Sequence, residues 1–195
     1  MFVFVFALSF LGNAQNTKQD QPKGYQFTDI KRLPTTSVKD QARAGTCWSW
    51  SGISFFESEM IRMGKEPIDL SAMYIVRHAY SDKADKFVRL HGNMNFAVGG
   101  AFCDVMHVIK NYGIVPMDVY MGLNYGEPNH AFGEIDDVLA GYINAVIKNS
   151  NKKLSTAWKN GYEGILDAYL GPEPEKFEYK GKEYTPRTFA DEVVG

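Results

Sequence analysis

The chain has 195 residues, 45% of them hydrophobic and 23% charged, which fits one ordinary globular domain, or one with an incomplete second, and excludes a disordered polymer. The 21 Lys and Arg against 23 Asp and Glu give a net charge of -2, which excludes a strongly basic nucleic-acid binder and a polyacidic tail. Two cysteines, Cys47 and Cys103, are too few for a disulfide framework, and an aromatic content of 14% points to a well-filled core or aromatic-lined clefts.

Residues 2–11 are almost all apolar, too short a run to span a bilayer core of about 30 Å as a helix. With the small residues of Gly12-Asn13-Ala14 behind them, residues 1–15 read as a cleaved export signal, which predicts a periplasmic or secreted protein with no membrane attachment after cleavage. No Lys or Arg precedes the run, and Phe2-Val3-Phe4-Val5-Phe6 also reads as a strand, in which case the protein is cytoplasmic.

Residues 16–36 are polar, with Pro22, Gly24 and Pro34, and predict an extended N-terminal arm. A helix then runs from Cys47 to about Met63, with Trp50, Ile53, Phe56 and Met60 at three- and four-residue steps and Gly64 as a left-handed stop. Ser71 caps a second helix carrying Tyr74, Ile75 and His78. A third runs from about Gly100 to Tyr112, with Phe102, Val105, Met106 and Ile109 on one face, and Gly113 and Pro116 end it. Cys103, in its first turn, is expected to face the core and not to bond Cys47.

Residues 121–133 read as a loop. Ile135, Val138, Leu139, Tyr142 and Val146 form a helical stripe, and a further helix spans about Ser155 to Leu170 before Gly171-Pro172-Glu173-Pro174 breaks it. Phe177 to Tyr184 reads as a small hairpin centred on Gly181, and Thr185-Pro186 opens a last helix, cap first.

The chemistry sits in Val38-Lys39-Asp40-Gln41-Ala42-Arg43-Ala44-Gly45-Thr46-Cys47-Trp48-Ser49-Trp50-Ser51. Here a Gly-containing turn delivers a cysteine to a helix N-terminus, where unpaired N–H groups and the helix dipole stabilise an anion. The thiolate is the nucleophilic form of cysteine. Gln41, six residues earlier, can fold back beside it and, with the Cys47 N–H, donate to an oxyanion.

This stretch resembles the active-site segment of papain-like cysteine peptidases: Gln, a short Gly loop, Cys-Trp, then an aromatic-rich helix. The resemblance implies that Cys47 is the nucleophile and Gln41 the oxyanion donor. It continues through Asp69-Leu70-Ser71, Gly99-Gly100 and Tyr112-Gly113-Ile114-Val115-Pro116, and makes Gly99, Gly100 and Trp48 the candidate substrate contacts. Two glycines can also simply let a helix begin in a tight space.

Where many secreted members carry a disulfide, this chain has Ala44 and Ala97 or Val98. That departure, with Leu170-Gly171-Pro172-Glu173-Pro174, Phe177-Glu178-Tyr179, Tyr184-Thr185-Pro186 and Phe189, resembles the bleomycin hydrolase and bacterial aminopeptidase C branch. The branch implies an α+β, papain-like fold: the helical left half, inserted helices, and an incomplete β-rich right half. It divides the chain into a nucleophile subdomain at 37–120 and a helical insertion with a small hairpin at 121–195. It also implies an aminopeptidase acting on peptides, without a cofactor or metal, assembled as a homo-hexamer when full length.

In the simple papain arrangement the catalytic His and Asn lie about 130–150 residues after the Cys. The four histidines, His78, His91, His107 and His130, all precede that window, and their spacings match no zinc motif. The chain therefore reads as the N-terminal portion of a longer enzyme, inactive alone. A cathepsin-like endopeptidase and a non-catalytic peptide-binding module of the same fold are the alternatives.

Overall fold

A computed structural model describes residues 24–195. The export signal expected at 1–15 and the first part of the arm lie outside the described residues. Residues 24–32 are exposed and without regular secondary structure, and Leu33–Gly195 form one compact unit.

That unit contains α1 (Cys47–Arg62), α2 (Ala72–Arg89), α3 (Phe102–Asn111), α4 (Gly133–Ile147), α5 (Ala157–Leu170), strands β1 (Phe177–Tyr179) and β2 (Lys182–Tyr184), and α6 (Pro186–Phe189), which runs on into a single π-helical stretch, Ala190–Val194. No helix among the described residues is long and apolar enough to cross a membrane.

The centre is α2. Its residues 72–80 are buried on every side, as a helix must be when neighbours cover all its faces. Helices α1 and α3 pack on it and on each other, and so do α4 and α5. Gly52 permits the close α1–α3 approach: a Cβ there would lie 2.8 Å from Val105 Cγ2. From α4 and α5, Ile135, Leu139, Ile143, Tyr162, Leu166 and Leu170 fill the core, each buried side chain contributing about 1.5–3 kcal/mol. Arg77, buried on α2, pairs with Glu163 at 2.9 Å and Asp167 at 2.5 Å on α5.

Local signals set the element ends. Helix α1 closes with the Lys65 N–H on Met60 O (2.9 Å), the Gly64 N–H on Ile61 O (3.0 Å) and Gly64 at φ +82°. The Ser71 hydroxyl accepts the Tyr74 N–H at 3.0 Å to cap α2. The hairpin pairs Phe177 with Tyr184 across a turn in which Lys180 and Gly181 both have positive φ. Its rings, Phe177, Tyr179 and Tyr184, surround the buried Phe189 at 5.2–5.7 Å.

Helix α3 corrects the sequence reading. Its buried residues are Val105 and Val108, while Phe102, Met106 and Cys103 are exposed. The reason is geometric. This ten-residue helix packs mainly on α1 and α2, with Arg187 of α6 at its C-terminal carbonyls, so its buried stripe is narrow and passes through 105 and 108. Phe102 instead stacks on Phe56 at 5.8 Å, at the rim of α1. Cys103 does not face the core, and both cysteines are free thiols.

Candidate active site

The loop that delivers Cys47 is held by its own backbone. The Asp40 carboxylate accepts the Ala42 N–H at 2.7 Å, and Ala42 adopts φ +50°. The Arg43 N–H donates to His130 O at 2.9 Å, and the Phe132 N–H to Arg43 O at 3.1 Å. Gly45 has φ +66°, and a Cβ there would press within 3.3 Å of Val98, so glycine is required.

Cys47 is exposed, at the first position of α1. The preceding Thr46 provides no side-chain cap; its hydroxyl accepts Trp50 Nε1–H at 3.2 Å instead. Among the described residues, nothing accepts the N–H of Cys47 or Trp48, and the first turn carries no acidic side chain. An electropositive helix end with free donors therefore lies beside the sulfur.

Gln41 lines the same cavity as Cys47, a space of about 380 Å³ between α1 and residues 35–39. Its side chain makes no hydrogen bond to a described residue, and its buried Oε1 is without a partner. Such an orphan costs about 1–3 kcal/mol and leaves the amide free to turn its N–H₂ into the cavity. Trp50, Ser51 and Ser54 form part of the wall; Trp48 does not.

Trp48 instead faces the 97–100 segment. Its Nε1–H donates to Val98 O at 3.0 Å, and a Cβ on Gly100 would fall 2.5 Å from its ring. Gly100 is thus glycine because the indole lies against it, whereas a Cβ on Gly99 would meet nothing within 4 Å.

Two charged residues at the site had no assigned role in the sequence reading. Glu57, 1% exposed, occupies the buried stripe of α1 between Ile53 and Met60, and a carboxylate in such a stripe was the available signal. It accepts the Leu70 N–H at 2.8 Å and Lys39 Nζ at 2.9 Å, and also the Thr36 hydroxyl, fastening the segment that leads to Gln41 onto the helix that carries Cys47. Lys83 on α2 donates to Ala97 O at 3.1 Å and to Gly99 O. No sequence pattern marked it.

The histidines lie elsewhere, and none lines the cavity. His78 is buried, stacked on Tyr112 at 4.2 Å, with Nε2 3.1 Å from Glu173 Oε1 but misaligned for a hydrogen bond. His107 is exposed on α3, with Nε2 3.2 Å from Asp82. His130 is buried behind Trp50, ring to ring 6.0 Å, and burial pushes its imidazole below the usual histidine range. His91 is exposed, just past the end of α2, at φ +52°.

Residues 22–161 match the model of the papain family cysteine proteases. Among solved structures, PepW from Lactobacillus rhamnosis HN001 (DR20) is similar, with a TM-score of 0.60 and 21% identity, covering 86% of this chain and 46% of that one. The chain thus spans less than half the length of that structure, and at this identity the likeness is one of fold. No curated protein matches. Among the described residues the helices and one two-stranded sheet make up the expected α+β, papain-like fold with its sheet incomplete.

Proposed function

The chain belongs to the papain family of cysteine proteases, and from that premise we propose that it carries the nucleophile half of an aminopeptidase of the bleomycin hydrolase type. The Cys47 thiolate attacks the scissile carbonyl carbon, and the carbonyl π pair moves to oxygen. The Cys47 N–H and the Gln41 side-chain amide donate to that oxyanion. Collapse expels the amine, protonated by an imidazolium, and leaves a thioester that water hydrolyses. The 97–100 backbone seats the peptide, with Trp48 behind it. Residues 37–120 carry these groups, and 121–195 are the helical insertion.

One observation carries this reading: Cys47 and Gln41 line one cavity at a helix end whose first N–H groups are free. The four histidines are placed away from that cavity, so the reading assigns the base to a His outside these 195 residues. The preference for a free N-terminus, the homo-hexamer and export follow from the resemblance and the leader. The second reading, a peptide-binding module, draws on the same absence of an imidazole from the cavity.

The test compares aminoacyl reporters with free and N-acetylated termini. Full-length protein should cleave only the free form, and only with Cys47 intact. Equal cleavage of both forms makes it an endopeptidase, and no cleavage favours the binding module. The 195-residue chain alone should match its Cys47→Ala variant; clear turnover would give the base role to one of the four histidines.

A further inference from the structure

We infer that Lys83 is a positioning residue for peptide binding, fixing the 97–100 backbone so that Gly100 is left as its free hydrogen-bonding edge. The inference rests on the reading of the site given above and deepens it.

Lys83 is half-buried on α2, with no carboxylate within 4 Å of its ammonium among the described residues. A cation held like this must find other partners. It donates to two carbonyls of one segment, Ala97 O at 3.1 Å and Gly99 O, and lies 5.6 Å from the Trp48 ring centre and 5.8 Å from that of Tyr80. Burial lowers its basicity, which marks the desolvation these partners offset.

The carbonyls of the segment are thereby assigned in order. Ala97 O goes to Lys83, Val98 O to Trp48 and Gly99 O to Lys83. On the other side, the Ala101 N–H is taken by Asp104 at 2.8 Å, and Ala101 O accepts the Asp104 N–H at 2.9 Å. The N–H groups of residues 97–99 are also without a partner among the described residues, but Gly100 alone in the segment has both its N–H and its C=O free. Gly100 is exposed and lies against Trp48, the residue after Cys47. A strand-like peptide can pair only with backbone groups that are unoccupied and held in place. Lys83 serves both conditions: it occupies the Ala97 and Gly99 carbonyls and so holds the backbone that leads into Gly100. It touches neither the sulfur nor a peptide.

The experiment measures alkylation of Cys47 in the full-length protein by a dipeptidyl chloromethyl ketone and by iodoacetamide, located by peptide mapping. The ratio of the two rates reports peptide seating, because iodoacetamide has no backbone to pair. Lys83→Met should lower the ratio about tenfold or more, the weight of hydrogen bonds to a charged group, with the iodoacetamide rate unchanged. Lys83→Arg should retain it, and Lys86→Met, on the exposed face of the same helix, should not alter it. If Lys83→Met lacks a cooperative melt, Lys83→Gln is used, with the same loss expected. A ratio that survives removal of the ammonium within twofold overturns this inference alone. A wild-type protein with no peptide preference overturns the site reading and this inference with it.

Discussion

The Lys39 ammonium donates to the Glu57 carboxylate at 2.9 Å, joining the segment that leads to Gln41 to the helix that begins with Cys47. Lys39 also reaches Asp69 at 2.7 Å, but Asp69 is half-exposed, whereas the Glu57 side chain is fully buried.

Glu57→Ala leaves the buried Leu70 N–H unpaired and breaks the buried ion pair, and should cost about 3 kcal/mol in urea unfolding. Glu57→Gln keeps an acceptor for Leu70 and should cost about half of that. Equal losses for the two would mean that the Leu70 hydrogen bond does nothing, and no loss for Glu57→Gln would mean that the charge does nothing.

The two glycines of the 97–100 segment separate a packing role from a binding role. Gly100→Ala drives a methyl into the Trp48 ring and should destabilise by about 1–3 kcal/mol. Gly99→Ala meets open space and should change stability by less than about 0.5 kcal/mol. Thermal melts of the two variants, measured side by side, check this contrast. Equal shifts would mean that Trp48 does not hold Gly100 as described.

Acid stability should depend on Glu163. Burial pushes its carboxyl up, but the Ser81 hydroxyl, the Arg77 guanidinium and the charge of Lys159 outweigh burial and hold it below the usual carboxylate range. A carboxyl depressed in the folded state stabilises above its unfolded value, about 4.3, and that stabilisation is lost as pH falls through the folded value. Urea unfolding from pH 7 to pH 3 should therefore show a shallower acid decline for Glu163→Gln, which starts lower at pH 7. Parallel profiles would remove Glu163 from the account.

Much of this molecule was legible because its signals are local. Gly64, Ser71, Gly113, Gly181 and Thr185-Pro186 each carry their structural meaning in one or two residues, and the element ends follow them. The Gln41 to Cys47 spacing was equally local, and the structure brings both residues to one cavity. Long-range partners were not legible. Periodicity on α3 marks an apolar face but not that its buried part is a narrow stripe through Val105 and Val108, which leaves Met106 and Cys103 exposed. Lys83 looked like an ordinary helix-surface lysine, because its partners lie 14 and 16 residues away in a segment without regular structure. The packing of the Trp48 ring against Gly100 is another partnership across about fifty residues that no local pattern marks.

The most direct test of the account is acyl transfer to the thiol, which needs no imidazole when the leaving group is good. The protein is mixed with a peptidyl nitrophenyl ester, quenched in acid and mapped for the acyl group. The account predicts a thioester on Cys47 and not on Cys103, which is also exposed, formed about 10²–10³-fold more slowly in Gln41→Ala, the weight of one oxyanion donor. Acylation of both cysteines at similar rates, or a Gln41→Ala variant as fast as wild type, would contradict it.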